Sequence, residues 1–100
     1  MLGELTHATF ADCLGSQFRI HYGAPAPLAV DLIAVTPLGV QGRPRPPKRE
    51  PFSLIFRGPR DFYLPQRVYK LEHSALGVLE IFLVPIGPDD AGMRFEAVFN

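Results

Sequence analysis

Four side chains of this sequence are the first candidates for metal, acid–base or nucleophilic chemistry: His7, Cys13, His21 and His73. No two of the histidines stand two or four residues apart, the spacings at which a strand or a helix presents two ligands to one metal ion. The single cysteine excludes an internal disulfide and a cysteine-rich zinc centre. We therefore predict no metal and no cofactor, unless the fold itself gathers these side chains.

Nucleophilic catalysis would need a hydroxyl or thiol beside a base and a group that orients the base. The serines are Ser16, Ser53 and Ser74. Ser53 lies in a predicted strand and Ser74 in a hairpin turn, and neither has the sequence context of a strand–turn–helix elbow. The paired carboxylates at 89–90 suit a turn, and the segment around them lacks the ligands of a calcium loop. The sequence therefore predicts that the protein is not an enzyme.

Basic residues are concentrated in one part of the chain, although its formal net charge is zero. Between residues 43 and 67, seven lysines and arginines face two acidic residues, a balance of +5. The proline-rich segment 42–51, expected to be an extended loop, holds four of them: Arg43, Arg45, Lys48 and Arg49. Such a loop can bind an anionic ligand or single-stranded nucleic acid, or can simply be solvated. Because alternation assigns most aromatic residues to the core, nucleic acid is only the alternative partner.

Hydrophobic alternation with a period of two predicts six β-strands. The predicted strands are 17–22, 28–35, 52–57, 67–73, 78–84 and 93–99. Residues 9–15 are predicted to form a short helix with Thr9 as its N-cap, Gly15 at its end and Cys13 as a small buried residue. A helix of this length is not stable alone, so we expect it to cover an open end of the sheet.

The predicted fold is all-β: a six-stranded antiparallel, partly open small β-barrel with one short N-terminal helix. Residues 1–100 are predicted to form a single β domain. Strands 52–57, 67–73 and 78–84 follow one another closely, so we expect them to pair in sequence order. A twisted sheet of six strands tends to roll up and hide its edges. Only Glu80 is polar on the second face of strand 78–84, which predicts that this strand is covered on both sides.

The chain has no apolar run near the roughly 20 residues that a membrane-spanning helix needs. Its first residues also lack the basic and apolar regions of a secretory signal. We therefore expect no membrane association and a location in the cytoplasm.

Sequence blocks spread over nearly the whole chain resemble those of a family of bacterial proteins of about this length. The blocks are 5–10, 14–15, 52–59, 64–66, 69–73, 76–77, 79–87 and 95–100. That family is known only as a domain of unknown function, so the resemblance implies membership without implying an activity or catalytic residues. It further implies that some members are encoded beside phage-tail-collar-like fibre proteins.

The segment 60–64 places aromatic side chains beside an arginine, a combination that is enriched in protein interfaces. We predict that Arg60, Phe62 and Tyr63 contact a protein partner, together with Phe82 on the second face of strand 78–84. The predicted function is a non-enzymatic protein-interaction or assembly module, for example in a phage-tail-like or surface-fibre assembly. A homodimer through an open sheet edge is a further prediction. The alternative is a small barrel that binds an anionic ligand or single-stranded nucleic acid through loop 43–49.

Overall fold

A computed structural model describes residues 5–38 and 51–99, which form one short helix and six strands. The elements are α1 (His7–Ala11), β1 (Gln17–His21), β2 (Leu28–Pro37), β3 (Phe52–Gly58), β4 (Arg67–His73), β5 (Gly77–Pro88) and β6 (Met93–Phe99). The prediction of an all-β, six-stranded antiparallel barrel with one short helix is confirmed. None of the described residues belongs to a helix that is long and apolar enough to cross a membrane.

The strands form a closed barrel in the order β1-β2-β3-β6-β5-β4, and every pair is antiparallel. The barrel is therefore closed where the sequence predicted partial opening. The expected pairing of β3 with β4 is wrong, because β3 pairs with β2 and β6 while β4 pairs with β1 and β5. The link 59–66 contains two prolines and carries the chain between these separate strands, which produces a Greek-key arrangement. The three strands β1-β2-β3 and the three strands β6-β5-β4 therefore cover each other's edges.

The barrel interior is filled by the inward-facing alternate residues of the strands. Phe52 and Phe99 lie at one end, with ring centroids 4.9 Å apart and rings nearly parallel. Phe10 from α1 contacts both of them, at 5.8 and 5.4 Å, and is fully buried. Full burial of one such side chain contributes about 1.5–3 kcal/mol, which explains why a helix of five residues stays in place. The helix therefore closes one end of the barrel, as expected.

The helix begins earlier than the sequence predicted. Thr6, not Thr9, is the N-cap, and Thr9 completes a capping box with it. Ala11 is the last helical residue, and Gly15 lies beyond it with φ +86° and donates its N–H to the carbonyl of Leu32.

Strand β5 is longer than predicted and runs through two prolines. Its pairing with β6 shifts register between Pro85 and Gly87, where a β-bulge lets the strand continue without the proline N–H. The turn that follows is organised by Asp89. Its Oδ1 accepts the N–H groups of Ala91 and Gly92 at 2.9 Å, and its Oδ2 accepts Arg57 Nη2 at 2.5 Å.

Replacement of Asp89 by asparagine is expected to make the protein less sensitive to acid. The Arg57 hydrogen bond and the two turn N–H groups lower the pKa of Asp89 from 3.8 to about 2. The carboxylate thus stabilises the fold above pH 3.8, and this contribution is lost as the pH falls through about 2. Asparagine keeps the oxygen that accepts the turn N–H groups but not the charge. The urea unfolding midpoints of the wild type and of Asp89→Asn should differ most at neutral pH and converge near pH 2. A difference that does not change with pH would contradict the lowered pKa of Asp89.

Candidate interaction surface

The structure separates the residues that the sequence predicted as one partner-binding set. Arg43, Arg45, Lys48 and Arg49 lie outside the described residues. Arg60, Phe62 and Tyr63 lie in the link 59–66, and Phe82 lies on the outer face of β5.

The three residues of the link have different environments. Arg60 Nη1 donates to the carbonyl oxygen of Asp89, so it contacts the turn between β5 and β6. Phe62 is half-buried and packs its ring edge-on against Tyr22, with centroids 5.2 Å apart. Tyr63 is 63% exposed. Of the two aromatic side chains expected to be accessible here, Phe62 is used largely in packing and Tyr63 is accessible.

The outer surface of β4, β5 and β6 carries several exposed apolar side chains, and the four most exposed of them are what we call the apolar face. They are Val68, Val78, Phe82 and Val98, with exposed fractions between 49% and 59%. Val68 and Phe82 are directly opposite each other in the β4–β5 register. The prediction that strand 78–84 is covered on both sides is therefore wrong. Its outward alternation of Val78, Glu80 and Phe82 faces solvent, and an exposed apolar surface of this kind is typical of an interaction site.

A gap in the barrel wall borders the apolar face. Strands β1 and β4 pair through only three residue pairs, the last of which is His21 with Lys70. Beyond it β4 continues back to Arg67 with β5 as its neighbour, while the chain leaves β1. The resulting space, which we call the β1–β4 gap, has a volume of about 300 Å³ and is lined by 21–23 and 67–70.

Positive charge predominates at the gap. Arg67 lies over the ring of Tyr69, 5.6 Å from its centroid, and Tyr69 donates its hydroxyl to the carbonyl of Pro65 at 2.5 Å. Lys70 stands opposite His21 across the β1–β4 pairing. Among the described residues, neither Arg67 nor Lys70 forms an ion pair.

One carboxylate near the gap is already occupied. Glu72 contacts His21 Nε2 at 3.1 Å and Arg19 Nη2 at 3.5 Å. The hydrogen bond with His21, followed by the hydrogen bond and the charge of Arg19, lowers the pKa of Glu72. Glu72 therefore neutralises charge along the paired part of β1 and β4, and the two cations further along β4 remain available to a ligand.

A second cavity, of about 460 Å³, lies beside α1 and includes Cys13, Ser16 and His73 in its lining. The fold thus brings together two of the side chains that the sequence singled out, while His7 and His21 lie elsewhere. Ser16 Oγ is 2.9 Å from His73 Nε2. This pair is 57 residues apart in sequence, and no local motif could have revealed it.

The hydrogen bonds around His73 run in the direction opposite to that of a catalytic serine–histidine pair. Its Nδ1 accepts the backbone N–H groups of Ala75 and Leu76, at 3.0 and 3.3 Å, so the proton of the neutral ring is on Nε2. That nitrogen donates to Ser16 Oγ, which in turn donates to the carbonyl of Cys13 at 2.5 Å. A general base would have to accept the serine proton at Nε2 and present an N–H to a carboxylate at Nδ1.

The thiol in this cavity is also poorly suited to nucleophilic attack. Cys13 is buried, and its Sγ lies 3.6 Å from the carbonyl oxygen of Thr9. Burial, with a smaller contribution from Asp12, raises the pKa of Cys13, so the reactive thiolate is disfavoured. The expectation that Cys13 is a small buried residue is confirmed. Within residues 5–38 and 51–99, no group of three or more histidine, cysteine or acidic side chains could hold a metal ion.

Comparison with known proteins places the chain in a family without assigning a role. A family model described as a domain of unknown function (DUF6916) matches residues 5–99, nearly the whole chain. No curated protein matches the chain, and no solved structure does. The family description names no ligand, partner or activity, so a functional proposal must come from the surface of the barrel.

Proposed function

The chain belongs to the DUF6916 family, a domain of unknown function, and we propose that it is a non-enzymatic protein-interaction module. The observation that carries this proposal is the apolar face. It presents three valines and Phe82 on neighbouring strands of a closed barrel, where Val68 and Phe82 are a cross-strand pair and each of the four residues has a hydrogen-bonded strand beside it. A surface on a barrel is rigid, so the barrel loses little conformational entropy when a partner binds.

The charges that surround the apolar face are suited to a protein partner. Lys70 and Glu80 are directly opposite each other on β4 and β5, and Glu72 is opposite Val78. Side chains of both signs therefore border the apolar residues. An apolar centre with a polar rim is the usual arrangement of a protein interface.

Replacement of Val68 and Phe82 by serine is expected to abolish most partner binding. Truncation of central apolar contacts in an interface typically weakens binding roughly tenfold or more. The tagged protein would be cross-linked in native cells, and the recovered partners would be quantified for the wild type and for the double variant. Because both residues are about half exposed, circular dichroism and the unfolding midpoint should change little.

The double variant Leu14→Ser and Leu38→Ser is a matched control. Both leucines are at least 50% exposed, and neither belongs to the apolar face. This control should recover the same partners as the wild type. Equal recovery from the variant at Val68 and Phe82 would contradict the proposal.

Other predicted aspects of function remain part of the proposal. The homodimer would now use the apolar face, because the sheet is closed into a barrel; light scattering after size-exclusion chromatography tests it. The cytoplasmic location and an assembly role in a phage-tail-like or surface-fibre structure are proposed as well. The alternative role of loop 43–49 in binding an anion or nucleic acid stays a prediction about residues outside those described.

A further inference from the structure

The first three residues of β4 form a short open strand edge beside the β1–β4 gap. Residues 67–69 have β5 as their strand neighbour on one side. On the other side, the pairing with β1 ends at Lys70. Within the described residues, no backbone hydrogen bond joins 22–27 to 67–69. The β1–β4 gap therefore borders a piece of backbone that can accept another strand.

We propose that the β1–β4 gap binds an extended acidic peptide segment of a partner protein, which adds as a strand beside residues 67–69. The inference rests on the proposed function, because it names the chemistry of one part of the protein partner. Three residues of edge span about 10 Å, so a peptide of ordinary length can cross the gap and continue over the surface.

The charge distribution favours an acidic segment. Arg67 and Lys70 line the gap, and the described part of the chain supplies neither with an ion pair. His21 adds a third basic side chain and already contacts Glu72. Glu80 faces Lys70 from the β5 side and lies outside the lining of the gap. Arg67 and Lys70 are three residues apart on β4 and project to opposite faces of the strand, so an added strand with acidic side chains on both of its faces would meet one cation on each.

The shape of the site favours a peptide over a small free anion. The lining includes Tyr22, Val68 and Tyr69 in addition to the cations. Val68 belongs both to the gap and to the apolar face, so the two surfaces are continuous. A peptide strand satisfies the backbone edge, and its alternate side chains can contact the cations and the apolar residues.

A fluorescein-labelled ten-residue peptide with the repeating sequence Glu-Glu-Val-Val, which carries glutamates on both faces of an extended strand, is the direct probe. Fluorescence anisotropy with the full chain should show binding that weakens with added salt, because the cations are exposed to solvent. The lysine–valine counterpart should not bind. Arg67→Gln and Lys70→Gln should each weaken the acidic peptide roughly two- to fivefold. Arg94→Gln removes the same charge outside the gap and should leave binding unchanged. Equal binding of both peptides would overturn the proposal.

Two peptides with N-methyl groups on alternate amides test for strand addition. One peptide is methylated on its odd-numbered amides and the other on its even-numbered amides. Because an added strand directs every second N–H toward the neighbouring strand, one of these peptides should bind at least tenfold more weakly and the other should bind almost as well as the unmethylated peptide. If neither methylated peptide binds more weakly, the peptide is held by charge alone and the proposal that it adds as a strand is wrong.

One variant separates this inference from the function on which it rests. Phe82 belongs to the apolar face but does not line the gap, so Phe82→Ser should reduce partner recovery and leave the acidic peptide bound. If the peptide fails to bind while partner recovery still depends on Phe82, the inference is overturned and the proposed function stands. If Phe82→Ser leaves partner recovery unchanged while the peptide binds the gap, the apolar face loses its role and the gap remains a site.

Discussion

Replacement of His73 by alanine is expected to lower the free energy of unfolding by about 2–4 kcal/mol. His73 is buried and its ring packs against Phe18, with centroids 4.4 Å apart. The substitution removes this contact, leaves the N–H groups of Ala75 and Leu76 without their acceptor, and removes the donor that Ser16 Oγ accepts from. Urea unfolding monitored by circular dichroism measures the effect.

Asparagine at position 73 is the informative control. Its side-chain oxygen can take the place of Nδ1 and accept the two N–H groups of the hairpin loop, but it cannot reach Ser16 in the way that Nε2 does. His73→Asn should therefore recover about 1–2 kcal/mol relative to alanine. Similar stabilities for the two variants would mean that ring packing, not the hydrogen bonds, accounts for the loss.

The same residue provides a test of the assigned proton position. Nitrogen chemical shifts of the His73 ring should show a protonated Nε2 and an unprotonated Nδ1 at neutral pH. That tautomer makes His73 a connector between the β4–β5 hairpin and the segment that links α1 to β1. A proton on Nδ1 would reverse the hydrogen bonds and restore Ser16 as a candidate nucleophile.

The parts of the fold that depend on local pattern were predictable from the sequence. The predicted bounds of strands 67–73 and 93–99 match those of β4 and β6, because their alternation is regular and turn residues flank them. The closure of a barrel end by the helix was also predictable, because a helix of this length is not stable alone. The sequence also placed the core residues of these strands on the correct face.

The parts that depend on strand order were not predictable. A link with two prolines is compatible both with a wide hairpin and with a crossover. No local sequence pattern therefore indicated that β3 and β4 are not neighbours in the barrel. Outward residues such as Val78 and Phe82 have the composition of a covered strand, and only the finished barrel shows that they face solvent. The β1–β4 gap arises because β1 is shorter than β4, and the Ser16–His73 contact arises from closure.

Replacement of Gly92 by alanine is expected to destabilise the protein by about 2–3 kcal/mol. An added Cβ would lie 2.1 Å from the carbonyl oxygen of Gly58 and 2.9 Å from Cγ of Arg57. The first of these atoms belongs to the backbone of β3, so relief requires β3 and β6 to move apart where Gly58 pairs with Met93. The second belongs to the side chain that contacts Asp89. The unfolding midpoint in urea measures the combined effect.

Gly77→Ala separates this close approach from simple backbone strain. Gly77 has φ +78°, and an added Cβ there meets no atom within 4 Å, so its substitution should cost only about 1 kcal/mol through the left-handed conformation. Gly92 has no positive φ, so its cost is steric. Gly92→Ala should also reduce the acid sensitivity that Asp89 confers, because displacement of Arg57 weakens the interaction that lowers the pKa of Asp89. If Gly92→Ala is no more destabilising than Gly77→Ala, the close packing of the β5–β6 turn against β3 does not limit the stability of the barrel.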